Sequence, residues 1–227
     1  MFMDSPAPET CPSLHAGVLF CADFEGANDR VYERGIATPF PPAGSMVTVE
    51  RAPPAASGDR ALWIDSTGGD FGFLFETTSV TTNRLDAQLA VRFARFGPND
   101  PDTTIIALGT RDLSFDHCYA SLEIDPHPAP RLVLNSHCGP AVPPAEYRYT
   151  EVLPTLPDPE VWIAITFTLD LSASTATVTL DGAPTTLTLA YQTVKTGTTH
   201  VEAGATHGGA ATGPRIGIDD LVVKTVP

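Results

Sequence analysis

Three groups of residues in this 227-residue chain have the types and spacing to do chemistry. Glu123-Ile124-Asp125-Pro126-His127 sets two carboxylates two residues apart and an imidazole beyond them. On an extended strand such positions share a face, so Glu123 and Asp125 would point the same way, with Tyr119 beside them. Paired carboxylates are the equipment of glycoside hydrolysis, provided one of them keeps its proton. An arginine across the hairpin, Arg131, would give Asp125 a structural partner instead. The second group is His117-Cys118 and His137-Cys138, two imidazoles and two thiols with the donor types of a zinc site. The third is the tyrosines Tyr119, Tyr147 and Tyr149, whose ring faces could stack on sugar rings beside acids that bind hydroxyls. Tyrosine is also an ordinary strand residue.

The elements that must position these groups are strands. Residues 118–125 (CYASLEID) and 131–138 (RLVLNSHC) flank the loop Pro126-His127-Pro128-Ala129-Pro130. A symmetric hairpin closed by that loop sets Ile124 opposite Leu132, Leu122 opposite Leu134, Asp125 opposite Arg131 and Cys118 opposite Cys138. Directly opposed positions lie within disulfide reach. Neighbouring residues on a strand diverge to opposite faces, so each His would point away from its Cys, and a Cys118–Cys138 disulfide is preferred over zinc. Cys11 and Cys21 form the second bridge by exclusion. Disulfides place the chain outside the reducing cytoplasm, and the expectation is a secreted, periplasmic or cell-surface protein. Met1-Phe2-Met3-Asp4-Ser5-Pro6 lacks the basic and apolar regions of a signal peptide, so the export signal is expected to be absent from this sequence.

Elsewhere apolar and polar residues alternate: Val18-Phe20-Ala22-Phe24, Phe71-Phe73-Phe75, Leu89-Val91-Phe93, Ala176-Val178-Leu180 and Leu187-Leu189-Tyr191. Val161-Ile163-Ile165-Phe167-Leu169 is the cleanest set, and Trp162 falls out of its phase. Asp181-Gly182 between two such runs predicts a two-residue type I′ hairpin. About a dozen strands, separated by Pro- and Gly-rich loops such as 53–59 (PPAASGD), predict an all-β, two-sheet antiparallel sandwich or jelly roll. Residues 1–10 read as a flexible lead-in and 11–227 as one domain. The glycine-rich stretch 202–213, which contains His207 and follows His200, reads as a mobile loop in which both histidines are solvated.

Composition narrows the function. Thirteen Lys and Arg face 27 Asp and Glu, a formal charge of −14, which repels phosphate backbones and anionic lipid. No apolar run is long enough to span a bilayer. Neither nucleic acid nor membrane insertion is expected. There is no G-x-S-x-G elbow, H-E-x-x-H pair or G-x-G-x-x-G turn.

In order along the chain, Phe24-Glu25-Gly26-Ala27-Asn28-Asp29, then Trp162 to Leu169 with Ala176 to Gly182, then Ile218-Asp219-Asp220-Leu221-Val222-Val223 resemble concanavalin A-like sandwich domains of the laminin-G-like type. The resemblance implies a jelly roll whose first and last strands are neighbours. It also implies a structural Ca²⁺ held by Glu25 and Asp219, with Asp23 and Asp220 as close substitutes. A hard cation with six to eight oxygen ligands would offset carboxylates that otherwise repel. The same acids also make sense as solvated strand ends. In the laminarinase-type hydrolases of this superfamily, an E-x-D-x-x/x-E strand carries catalysis. Here Glu123 and Asp125 match the first acids, but His127 replaces the last and Pro126 interrupts the strand. The combined expectation is a non-catalytic, lectin-like carbohydrate-binding module, with Tyr119, Glu123, Tyr147 and Tyr149 at the ligand. The alternatives are an adhesion or spacer domain that binds a protein or nothing, and, behind it, a glycoside hydrolase.

Overall fold

The computed structural model describes residues 17–22, 24, 38–39, 47–66, 71–96, 102–111, 117–138, 148–189, 196–206 and 214–226. These form two antiparallel sheets face to face, and no helix occurs among the described residues. One sheet runs β13 (Ala183–Thr188), β12 (Thr175–Leu180), β11 (Ile163–Asp170), β6 (Arg84–Arg95), β15 (Arg215–Val226), β4 (Ala61–Ser66) and β3 (Val47–Ala52). An eighth strand, β1 (Val18–Ala22), also pairs with β15, so first and last strands are neighbours. The other sheet runs β10 (Arg148–Leu153), β9 (Arg131–Cys138), β8 (His117–Asp125), β7 (Thr103–Arg111), β14 (Thr196–Thr206), β5 (Phe71–Thr81) and β2 (Thr38–Pro39).

Alternation built these layers. Along β11, Ile163, Ile165, Phe167 and Leu169 are buried while the residues between them are not. The inward residues of β6, Leu85, Ala87, Leu89, Val91 and Phe93, join them in a core. Leu122, Ile124, Leu132 and Leu134 come from the opposing sheet and are completely buried. Each such side chain contributes roughly 1.5–3 kcal/mol relative to exposure.

The β8–β9 hairpin has the expected register, with Cys118 opposite Cys138, Leu122 opposite Leu134 and Asp125 opposite Arg131. The side chains of His117, Cys118, His137 and Cys138 lie outside what the structure describes, as does Cys11. Cys21 is disulfide-bonded. Two readings need correction. Val161 precedes β11 and is 47% exposed, because the chain only joins the sheet at Ile163. Residues 202–206 continue β14, and His200 lies inside that strand. Pairing with β5 on one side and β7 on the other overrides the weak strand propensity of Gly197 and Gly204.

The outer face of the eight-stranded sheet carries a packed aromatic cluster. Gly217 lies between Trp63 on β4 and Arg92 on β6. The space above it holds the edge-to-face rings of Trp63 and Trp162, centroids 5.7 Å apart. Arg92 and Arg215 lie 5.6 and 5.2 Å from the Trp63 ring centre. Arg92 also donates to Pro159 O at 2.6 Å and to Glu160 Oε2 at 2.5 Å. Trp63, 2% exposed, is thus a packing residue.

Asp181 (φ 47°) and Gly182 (φ 80°) connect β12 to β13, the two left-handed residues of a type I′ turn. Gly182→Ala meets no neighbouring atom but puts a Cβ on a left-handed residue. It should cost about 1 kcal/mol and lower the melting temperature by roughly 2–4 °C, measured by calorimetry. An unchanged melting temperature would contradict the turn assignment.

Candidate functional site

The solvent-side face of the seven-stranded sheet gathers most of the chemistry-bearing residues, and the pleat decides which. On β8, Ala120, Leu122 and Ile124 turn inward, so Tyr119, Ser121, Glu123 and Asp125 turn outward. On β9 the outward set is Arg131, Val133 and Asn135, and on β10 it includes Tyr149 and Glu151. On β7 it is Ala107 and Gly109, and on β14 His200 and Glu202. One row therefore crosses the sheet through Tyr149, Asn135, Ser121, Ala107 and Glu202, each paired with the next. A second sets Tyr119 opposite Gly109 and Gly109 opposite His200.

Small residues on β7 recess the centre of this face. With no side chain at Gly109, the Tyr119 and His200 rings approach across it to 6.5 Å between centroids, tilted by 31°. His200 Nε2 lies 3.5 Å from Glu202 Oε2. Glu123 is held on both oxygens: the Ser121 hydroxyl donates to Oε1 at 2.5 Å and Asn135 Nδ2 to Oε2 at 3.3 Å. That orients Asn135 so that its Oδ1, a buried acceptor, has no partner. Tyr149 stands at the rim, 69% exposed. The other residues of this group are half-buried or, at Ser121, fully buried, unlike the exposed Thr186 and Thr188 of β13.

The carboxylate pair separates into two roles. Asp125 accepts from Arg131 Nη2 and Nε at 2.6 and 3.0 Å, and from the His127 amide at 2.9 Å. Arg131 also reaches Glu151 at 3.4 Å. Burial works to raise the Asp125 carboxyl, but the His127 amide and the Arg131 guanidinium outweigh it and hold it below the usual range. Asp125 is thus a cross-strand ion-pair partner and does not supply the protonated acid that a retaining pair needs. Glu123 belongs to the recessed face.

The expected calcium residues fall where β15 changes partners. Its residues 215–218 pair with β4 and its residues 221–224 with β1, and a register shift in the pairing with β6 covers Asp219 to Val222. Asp220 takes a left-handed φ of 50° at that bend. Buried Asp219 accepts the amides of Ala56 and Ser57 on Oδ2, at 2.9 and 3.1 Å, and that of Asp220 on Oδ1 at 2.9 Å. Ser57 Oγ donates to Asp220 Oδ1 at 2.8 Å. Asp219 thus anchors the 53–59 loop, and three of its four lone-pair positions already face amides. Asp23, Glu25 and Tyr147 lie outside the described residues. No group of three or more metal-ligating side chains occurs among the described ones, so these alone do not complete a calcium shell.

Sequence reading missed Ser121, Asn135, His200 and Glu202. The first two share the outward phase of Glu123 and its partner strand, a signal open to a reader of the hairpin. His200 and Glu202 reach Tyr119 only through the pairing of β14 with β7, which local pattern does not encode.

No family model matches the chain, and no curated protein does. Among solved structures it is similar to the binding domain of Paraclostridial Mosquitocidal Protein 1, with TM-score 0.56 and 9% identity over 92% of this chain and 49% of that one. It is also similar to a botulinum neurotoxin type C structure described by its interaction with two ganglioside molecules, with TM-score 0.56, 12% identity and 93% and 49% coverage. The PL-14 alginate lyase of Aplysia kurodai superposes with TM-score 0.55 and 12% identity over 79% of this chain and 87% of the lyase. The chain spans about half the length of the toxin chains. These likenesses establish the jelly-roll sandwich fold. A laminin-G-like membership is not part of what they show.

Burial first, and the neighbouring Asp220 charge, push the Asp219 carboxyl up to about 6 against the lowering effect of its amide donors. The folded state therefore holds this proton more tightly than the unfolded chain. Its stabilising contribution is present at low pH and is lost as pH rises through about 6. Asp219→Asn removes that dependence. The melting temperature of the parent relative to Asp219→Asn should rise between pH 7 and pH 5, and a constant difference would contradict the assignment.

Proposed function

We propose that this chain is a non-catalytic, extracytoplasmic carbohydrate-binding module whose ligand lies on the outer face of the seven-stranded sheet. The observation that carries the reading is the recessed row of aromatic and acceptor groups: Tyr149, Asn135, Glu123, Tyr119, His200 and Glu202. Protein-bound sugars need flat rings to stack on and fixed polar atoms for their hydroxyls, and this face has both. The ganglioside-binding toxin among the structural neighbours, and a botulinum neurotoxin DC binding domain in complex with SialylT, support a glycan as partner for this fold. Tyr119, Glu123 and Tyr149, three of the four residues expected at a ligand, share this face, and the fourth, Tyr147, lies outside the described residues.

One observation favours a second reading. The Tyr119 and His200 rings, 6.5 Å apart beside Glu202, are residue types that can move protons, and alginate lyases share the fold. A lyase acting on a polyuronate must neutralise a substrate carboxylate while it removes the adjacent proton. Arg131, the described cation on this face, is already bound to Asp125 and Glu151. With Arg131 so committed, the described side chains of this face suit binding better than elimination.

Calcium is proposed at the β15 bend, where the remaining lone-pair position of Asp219 and the Asp220 carboxylate would contribute, with Asp23 and Glu25 as expected further ligands. A resident Ca²⁺ would fix the strand-end loop and offset the acidic charge there. Millimolar calcium should raise the melting temperature over that in chelator, and the rise should vanish in Asp219→Asn. Equal melting temperatures in both buffers would remove calcium from the account. Two disulfides, Cys118–Cys138 and Cys11–Cys21, belong to the same proposal and are checked by mass mapping of the non-reduced protein.

The binding reading is tested on a glycan array with the parent protein and Tyr149→Ala. The parent should bind a specific set of glycans, and the variant should bind that set roughly tenfold or more weakly, as for loss of an aromatic anchor. Binding to no glycan, with capture of a protein partner instead, would favour the adhesion or spacer reading. Release of an unsaturated product from alginate would favour the lyase.

A further inference from the structure

We infer that Glu123 clamps a pair of adjacent hydrogen-bond donors on one sugar ring, a vicinal diol or its amino-alcohol counterpart, and that Ser121 is the residue that positions it. The inference rests on the carbohydrate-binding reading and adds to it the group that the ligand must carry.

The first observation is how the Glu123 carboxylate is held. Ser121, two residues earlier on the same face of β8, donates its hydroxyl to Oε1 at 2.5 Å, and Asn135 on β9 donates Nδ2 to Oε2 at 3.3 Å. A carboxylate offers about four lone-pair positions over its two oxygens. One described donor on each oxygen fixes the group in place and leaves each oxygen able to accept again. Ser121 is completely buried and Glu123 half-buried, so the donor is sealed in the sheet while the carboxylate reaches solvent. Asp125 on the same strand differs, because it takes three donors, two from Arg131 and one from the His127 amide.

The second is what such a group recognises. Two acceptor oxygens side by side match two donors side by side, and the paired bonds add direction to the strength that a charged acceptor gives each. Adjacent hydroxyls on a pyranose, or a hydroxyl beside an ammonium, have that form. Two hydroxyls separated by a linked oxygen do not. The exposed ring of Tyr149 stands on β10, two strand spacings or about 10 Å from β8. That is more than one sugar ring spans, so the ring stacked on Tyr149 and the ring held by Glu123 are different units of one chain.

The test is titration calorimetry of the full chain with three hexasaccharides at about 0.15 M salt, where attraction between distant exposed charges is screened. Cellohexaose carries adjacent free hydroxyls on every ring, and a fully deacetylated chitosan hexamer replaces one of each pair by an ammonium. Laminarihexaose is linked through position 3, so its internal rings lack an adjacent free pair. Cellohexaose or the chitosan hexamer should bind roughly tenfold or more tightly than laminarihexaose. Glu123→Gln, with its melting temperature taken as a fold check, should close that gap. Ser121→Ala should narrow the gap in the parent and change nothing in the Glu123→Gln background, because it acts through Glu123. A gap that persists in folded Glu123→Gln, or equal binding of all three probes, would overturn the donor-pair contact while leaving the binding face in place. Equal losses from Ser121→Ala in both backgrounds would overturn its positioning role. Binding of none of the three would overturn both the contact and the carbohydrate reading from which it is drawn.

Discussion

Strand β7 lies in the middle of the seven-stranded sheet, and its pleat gives its two sides opposite tasks. Ile106 and Leu108 are needed in the core, so Ala107 and Gly109 must face outward. Larger residues there would fill the space between β8 and β14. Because they are small, Tyr119 and His200 meet across Gly109, and Ser121 and Glu202 flank Ala107. The recess in the sheet is thus a by-product of core packing on the other side. Everything proposed for ligand binding depends on that floor.

The other organising feature is the bend in β15. Along one edge β15 pairs first with β4 and then with β1, and the changeover, with a register shift against β6, falls at Asp219 and Asp220. Burying a carboxylate there is costly unless donors come to it, and the amides of Ala56, Ser57 and Asp220 do. The loop before β4 is tied to the last strand by the same contacts. The Trp63–Trp162 cluster, seated over Gly217 a few residues earlier in β15, closes the outer side of that sheet.

Much of this was legible in the sequence where local constraints decide. The Pro126–Pro130 loop fixed the β8–β9 register residue by residue, and Asp181-Gly182 fixed the turn between β12 and β13, because a short connection leaves few alternatives. The out-of-phase position of Trp162 correctly put it on the face away from the core. What was not legible needed long-range pairing. The run from Thr196 to Thr206 is poor in strand formers and rich in Gly and Ala, and only its two partners make it a strand. His200 and Glu202 therefore read as loop residues, although they sit beside Tyr119. Val161 extended a good alternating pattern by one step too many, since pattern does not report where pairing begins.

The central claim is that ligand engages the outer face of the seven-stranded sheet, and residue-resolved NMR tests it most directly. Titrating labelled protein with cellohexaose or the chitosan hexamer should shift the amides of Ser121, Glu123, Asn135, His200 and Glu202. Those near Trp63, Trp162 and Gly217 on the opposite sheet should stay in place. Shifts centred on the tryptophan face, or no shifts at saturating sugar, would contradict the account.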